Sequence, residues 1–282
     1  MAPETLPVIC ASRRTDLPGR YPVWLAQALC ARQLHVRQPY TGRLRLVDLS
    51  PDSVHTLVLL SKDFAPLLRD EGGLRAALEP YEQVTFQLTV TGLGGTRLEP
   101  GVSNAADTLA QLQPLAALRG PERLTLRYDP IVHWREGGEV YSNLAWAERV
   151  FAAAAVVGLA RVRLSFAQVY AKMKRRGVEW YDPPPQEKAE IAARLVESAA
   201  LYGLELHGCC QPSLEPVGVR RTGCVDGAEL ARLHPRHLPA ASTKDRGQRG
   251  DCLCSPSIDI GSYDLACPNG CLYCYANPRL SA

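Results

Sequence analysis

With 282 residues, 46% of them hydrophobic and 22% charged, the chain can bury a large core, so it is neither a disordered tail nor a miniature domain held by disulfides. A net charge of +3 does not by itself mark a nucleic-acid binder, and no apolar run approaches the ~20 residues of a membrane span. No membrane role is expected.

The first residues, Met-Ala-Pro-Glu-Thr-Leu-Pro, lack a basic region followed by an apolar stretch, so no secretory signal is read and a cytoplasmic location is expected. Thiols stay reduced there, and the ten cysteines read as metal ligands more than as disulfides. A first strand is expected over residues 7–12, with Cys10 inside it and Ser12-Arg13-Arg14-Thr15-Asp16 at its end. A helical pattern over 24–32 carries Cys30, read as a core residue. The strand 56–61 ends at Lys62 and leads into a weaker helical pattern over 64–78. Strand 84–89 brings Gln87, Thr89 and then Thr91, followed by a helix over 104–118. Strand 123–128 brings Arg127 and Asp129, followed by a helix over 144–157. Strand 161–166 brings Ser165 and Gln168, then the basic run Lys172-Met-Lys-Arg-Arg176. Trp180-Tyr-Asp-Pro-Pro-Pro185 reads as a rigid linker or lid into a helix over 186–202. Strand 204–208, a weak helix over 228–233 and a last strand over 257–261 complete the pattern.

Near-continuous apolar strands that alternate with helices imply a parallel sheet covered by helices. Seven of them, with right-handed crossovers, predict an α/β fold: a full or partial β/α (TIM-like) barrel with parallel strands. Three stretches are expected: a barrel body over 1–208, a cysteine-containing segment over 209–256 with a candidate auxiliary metal site, and 257–282 with the last strand and a thiol loop. Active sites in such barrels lie at the C-terminal ends of the strands. Ser12, Arg13, Lys62, Gln87, Thr89, Arg127, Asp129 and Ser165 are therefore candidates to hold an anionic cofactor or substrate. The plainer reading of any one of them, or of Asp16, is a helix cap.

The densest signal is Cys267-Pro-Asn-Gly-Cys271-Leu-Tyr-Cys274, three thiols spaced C-x₃-C-x₂-C. A [4Fe–4S] cluster normally takes four cysteines, so three leave one iron open to a ligand. With Tyr273 just before the third cysteine, the loop resembles the signature of radical S-adenosylmethionine (SAM) enzymes. The resemblance implies that Cys267, Cys271 and Cys274 hold a [4Fe–4S] cluster whose open iron chelates SAM. It implies one-electron cleavage of SAM to methionine and a 5′-deoxyadenosyl radical, which takes a hydrogen atom from a substrate. It places Tyr273 near the adenine and requires an electron donor such as flavodoxin or ferredoxin. An Arg or Lys at the strand ends would pair SAM's carboxylate, and Gln87 or Thr89 would hold its ribose. In typical members the cysteine loop follows the first barrel strand. Here it comes last, and the chain begins with what resembles their second strand. A circular permutation is expected, with the C-terminal strand beside the N-terminal one.

Nearly the whole chain also resembles the bacterial domain-of-unknown-function family 1848. The matching stretches are Ala11-Ser-Arg-Arg-Thr-Asp16, Arg127-Tyr-Asp-Pro130, Lys244-Asp-Arg-Gly-Gln-Arg249, Cys252-Leu-Cys254, Ser257-Ile-Asp-Ile-Gly261 and Cys274-Tyr-Ala-Asn277. That name carries no substrate. A second thiol set recurs in it: Cys224, Cys252, Cys254 and one of an adjacent pair, read as Cys209 with Cys210 as the alternative. Four thiolates suit an auxiliary iron–sulfur cluster or a structural zinc, the cluster being slightly preferred. The competing reading is that they are small buried hydrophobes. His207, His234 and His237 read as satisfied or solvated side chains rather than zinc ligands. Cys10, in Cys10-Ala-Ser, is similar to a Cys-Thr-Ser segment of spore photoproduct lyase, where the cysteine returns a hydrogen atom to the product radical. On that short resemblance Cys10 is a catalytic candidate; otherwise it is a core thiol.

The Lys172–Arg176 run could meet phosphates, and the aromatics after it would suit base stacking, which keeps a nucleic-acid substrate open; a solvated face is the plainer reading. Two functions follow. One is a radical SAM enzyme acting on an unknown substrate. The other is a zinc- or iron–sulfur-stabilised nucleic-acid-binding protein without radical chemistry, with Cys254 or another cysteine as a fourth ligand to the C-terminal three. Seven parallel-type strands favour the enzyme, because a small zinc module has no need of them.

Overall fold

A computed structural model describes residues 5–39, 41–276 and 278–280; Asn277, at the end of the Cys274-Tyr-Ala-Asn277 stretch, lies outside them. Among the described residues eight strands form the main sheet: β1 Val8–Ala11, β2 Thr56–Ser61, β3 Val84–Thr89, β4 Leu124–Ile131, β5 Arg161–Phe166, β6 Glu205–Cys209, β7 Arg220–Thr222 and β8 Ile258–Asp259. All pairings are parallel, and the spatial order is β8-β1-β2-β3-β4-β5-β6-β7. Each strand therefore lies beside the next in the chain, and the last lies beside the first, with Ile9 opposite Ile258 and Cys10 opposite Asp259. This is a singly wound α/β order, that of a β/α barrel. Among the described residues no ladder joins β7 to β8.

Side chains alternate across each strand. Ile9, Leu57, Leu59, Phe86, Leu88, Leu126 and Leu164 turn to one face and share a core with the helices, including Leu25, Phe151 and Ile191. Each fully buried Leu or Phe there contributes about 1.5–3 kcal/mol. Val8, Cys10, Val58 and Leu60 turn to the other face, where they meet Val225 and Leu230. Leu230 belongs to the helix Gly227–Leu233, whose N-cap Asp226 accepts a hydrogen bond from the Glu229 N–H at 3.1 Å. Gln83 Nε2 donates to Leu230 O at 2.9 Å, and Arg163 Nη1 donates to Cys224 O at 3.1 Å. The second face of the sheet is thus covered by the 209–256 segment. Parallel strands need cover on both faces, which is why they read as continuous apolar runs.

The seven expected strands are present, and the structure adds Arg220–Thr222. Two of its three residues are exposed arginines, so it carries no apolar signal. The helix expected over 104–118 is two helices, Ala105–Leu109 and Leu112–Arg119. The stretch expected as a linker or lid over 180–185 begins within a strand, Glu179–Tyr181, that pairs antiparallel with His133–Glu136. A hairpin of Gln33–Arg37 and Leu44–Asp48 goes unannounced because most of its residues are exposed. Cys30 is exposed, not core: Leu25, Ala26, Ala28 and Leu29 take the buried side of its helix. No helix of the described residues is long and apolar enough to cross a membrane.

Candidate active site

Parallel strands deliver their C-terminal ends to one edge of the sheet. The thiol loop enters there directly after β8. Backbone pairing seats it: Gly101 N–H donates to Asn269 O at 3.1 Å and Leu272 N–H to Leu98 O at 3.0 Å. A Cβ on Gly101 would stand 2.2 Å from Pro268 O, so only glycine allows this approach. Asp16 caps the short helix Leu17–Arg20, as a plain capping role requires, but it does more. Its carboxylate also accepts from Ser61 Oγ (2.6 Å), Lys62 N (3.0 Å) and Asn269 Nδ2 (2.9 Å), which ties the loop to the ends of β1 and β2.

Next to the loop lies a charged pair. Lys62 Nζ and Glu99 Oε1 are 2.9 Å apart, and Glu99 is 1% exposed. Thr91 Oγ1 donates to the same carboxylate oxygen at 2.6 Å, and so does the Tyr273 hydroxyl. Lys62 also stands 5.6 Å from the centre of the Tyr273 ring. Burial pulls the Lys62 ammonium down, but Glu99, with Cys271 beyond it, raises its pKa above the usual lysine value. Lys62 therefore keeps its charge at neutral pH. Glu99 carries no signal in the sequence beyond being an acidic residue in a glycine-rich turn.

Cys267 and Cys271 are buried and Cys274 half-buried. Burial pushes all three thiols above their ordinary pKa. Donors oppose it: the Asn269 and Asp16 N–H groups at Cys267, the Ala276 N–H at 3.3 Å from Cys274 Sγ, and the Lys62 ammonium toward Cys271. N–H donors to sulfur favour the thiolate once a metal has displaced the protons. Among the described residues no group of three or more His, Cys, Asp or Glu side chains stands as a finished metal site. The donor chemistry nevertheless fits a three-thiolate cluster: soft ligands on one loop, shielded, with N–H groups at two of the three sulfurs and the Lys62 charge facing the third. Cys254, the cysteine named as a fourth ligand for a closed site, packs instead among Cys224, Cys252, Cys209 and Cys210.

The other candidates are placed as follows. Arg13 donates from its backbone N to Asp259 Oδ2 at 2.8 Å and from Nη2 to Ser257 Oγ at 3.0 Å, fastening β8 to the end of β1. Ser12 Oγ accepts from Arg14 N at 2.9 Å, a local turn bond. Gln87 Nε2 donates to Cys224 O at 2.5 Å, so its amide N–H₂ is engaged by the covering segment. Thr89 is half-buried at the end of β3. Arg127 Nη2 and Ser165 Oγ both donate to Asp129, forming one compact group on β4 and β5. Cys10 lies fully buried in β1, and burial pushes its thiol up to about 12. The basic run does not form a phosphate patch as a unit. Lys172 Nζ donates to Ala276 O at 3.3 Å, and Arg176 Nη1 donates to Leu272 O (2.8 Å) and Cys274 O (2.6 Å), so two of its cations hold the thiol loop. His207 stands by Glu205, and His234 by Glu82 and the ring of His55, so neither joins the cysteines.

The second thiol set gathers both members of the adjacent pair. Cys209 Sγ lies 3.5 Å from Cys224 Sγ and 4.0 Å from Cys210 Sγ. Cys224 also contacts Cys254, Cys254 contacts Cys252, and Cys252 contacts Cys210. Five thiols thus close a ring at the ends of β6 and β7.

A family model described as a domain of unknown function, DUF1848, matches residues 8–276. Among solved structures the chain is similar to the D-hydantoinase of a Bacillus sp. AR9, at 13% identity over 66% of this chain and 44% of that one, with a TM-score of 0.33. It is also similar to a xylose isomerase domain protein from Planctomyces limnophilus, at 15% identity over 93% of this chain and 85% of that one, with a TM-score of 0.30. The chain spans less than half the length of the hydantoinase. No curated protein matches it.

Proposed function

We propose that this chain, which belongs to the DUF1848 family, is a radical SAM enzyme on a circularly permuted β/α barrel, acting on an unidentified substrate. The observation that carries the reading is the C-x₃-C-x₂-C loop set against the Lys62–Glu99 pair, 2.9 Å apart at the strand ends. A three-thiolate [4Fe–4S] cluster with SAM on its open iron supplies, when reduced, cleavage of SAM to methionine and a 5′-deoxyadenosyl radical. Cys267, Cys271 and Cys274 would hold the cluster. The methionyl end of SAM is a zwitterion, and neighbouring opposite charges suit it. Glu99 would accept from its ammonium and Lys62 would pair its carboxylate, each exchanging a partner already at hand. Tyr273 keeps both groups oriented through its hydroxyl and ring. Thr89 stays a candidate for the ribose, since the Gln87 amide is engaged elsewhere. Cys10 retains its proton at neutral pH, the form in which a thiol donates a hydrogen atom. The placement of β8 beside β1 supports the permuted order. An electron donor such as flavodoxin or ferredoxin would reduce the cluster.

The test is anaerobic reconstitution with iron and sulfide, followed by SAM and dithionite. The wild-type protein should form 5′-deoxyadenosine, and Cys271→Ala should form none. Deoxyadenosine production by Cys271→Ala at the wild-type rate would overturn the reading.

A further inference from the structure

We propose that Cys209, Cys224, Cys252 and Cys254 form a tetrathiolate site for a single zinc ion, with Cys210 as a fifth thiol that does not ligate. The proposal is independent of the radical SAM reading. It departs from the auxiliary cluster that the sequence slightly favours, and the departure rests on sulfur separations. Four sulfurs about 2.3 Å from a tetrahedral zinc stand about 3.8 Å from one another. Of the four ligands, Cys209 and Cys224 have their sulfurs 3.5 Å apart, close to that spacing. The terminal sulfurs of a cubane cluster must stand much farther apart, because a whole cube of iron and sulfide lies between them. A regular ring of five touching sulfurs leaves its centre about 3 Å from each, too far for a zinc–thiolate bond. When one thiol leaves the ring, the other four can close on a common centre. Cys210 is the one to leave: its sulfur stands 4.0 Å from that of Cys209, against 3.5 Å between Cys209 and Cys224, and its backbone has a left-handed φ of 56°.

Second-sphere groups support a charged site. Cys224 N–H donates to Cys254 Sγ at 3.1 Å and Cys254 N–H to Cys252 Sγ at 3.4 Å, bonds that favour thiolates. Four thiolates on a divalent ion carry a net charge of about −2. The buried Arg163, bonded to the Cys224 carbonyl, and Arg127 supply compensating charge, and the Nε atom of each lacks a hydrogen-bond partner. Arg127 also pairs with Asp129 and Arg163 with Glu229, so each guanidinium is shared between a carboxylate and the thiol set. The ligands come from the end of β6, the turn after β7 and the return toward β8. Zinc would therefore staple the segment that covers the second face of the sheet and leads to the thiol loop.

The test uses the full chain with Cys267, Cys271 and Cys274 all changed to Ala, so that failure of the radical reading cannot affect it. Purified without added metal, this protein should carry about one zinc per chain and no acid-labile sulfide. Cobalt(II) in place of zinc should give the charge-transfer and ligand-field bands of a tetrahedral thiolate site. Adding Cys210→Ser should leave metal content and spectrum unchanged, and adding Cys254→Ser should weaken zinc retention at least tenfold. If Cys254→Ser does not fold, the cobalt spectrum and Cys210→Ser decide. Iron and sulfide in equal amounts, a folded protein without metal, or loss of metal in Cys210→Ser would each overturn the proposal.

Discussion

Glu99 holds a carboxylate at 1% exposure against three donors, Lys62, Thr91 and Tyr273. Breaking a buried ion pair from one side strands the other charge and costs about 3–5 kcal/mol. Lys62→Met and Glu99→Gln should therefore each lower stability by about 3 kcal/mol or more in urea unfolding. The double variant should lose clearly less than the two losses combined; a fully additive loss would show that the two charges do not depend on each other. Lys62 was legible in the sequence because it follows an apolar strand, where a barrel places its working groups. Glu99 was not, because it lies in a turn-rich loop that no periodicity reaches. Its importance comes from groups 8, 37 and 174 residues away in the chain.

At the scale of elements, the thiol loop is fastened chiefly by donors to its carbonyl groups. Arg176 serves two of them, at Leu272 and Cys274, with 2.8 and 2.6 Å bonds. Hydrogen bonds from a charged donor contribute about 1.5–3 kcal/mol each, and here the effect is local to the loop. Arg176→Met should raise amide hydrogen exchange over residues 272–276 by about tenfold or more, with little change in the global urea midpoint. Unchanged exchange in that loop would mean that the backbone pairing to Leu98 and Gly101 holds it unaided. The basic run itself is plain in the sequence. That two of its cations donate to carbonyl oxygens of the thiol loop is not, because a charge run on a short helix gives no sign of what lies beside it.

For the whole molecule, the distinguishing feature is the helix Gly227–Leu233 on the second face of the sheet. Leu230 is 6% exposed there, packed against Val8, Cys10, Val58 and Leu60. Leu230→Ala should cost about 2–4 kcal/mol, as a cavity in a shared core does. Leu201→Ala, at a side chain 87% exposed after the helix Pro185–Ala200, should stay within about 0.5 kcal/mol of wild type. Equal, small effects in urea unfolding would mean that the 209–256 segment is not part of the cooperative core.

The amino-acid pattern alone determined the parallel α/β character, seven of the eight strands and the thiol loop. These depend on apolar periodicity and short spacings, which are properties of contiguous residues. Only the tertiary structure decided that β8 lies beside β1, that Glu99 meets Lys62 beside the loop, and that Cys209 and Cys210 both join Cys224, Cys252 and Cys254. It likewise decided that Gln87, Arg13 and Asp16 are engaged in holding segments together. Each of these depends on which distant groups share a buried volume, where an unpaired charge or donor is costly, and local sequence does not encode that pairing.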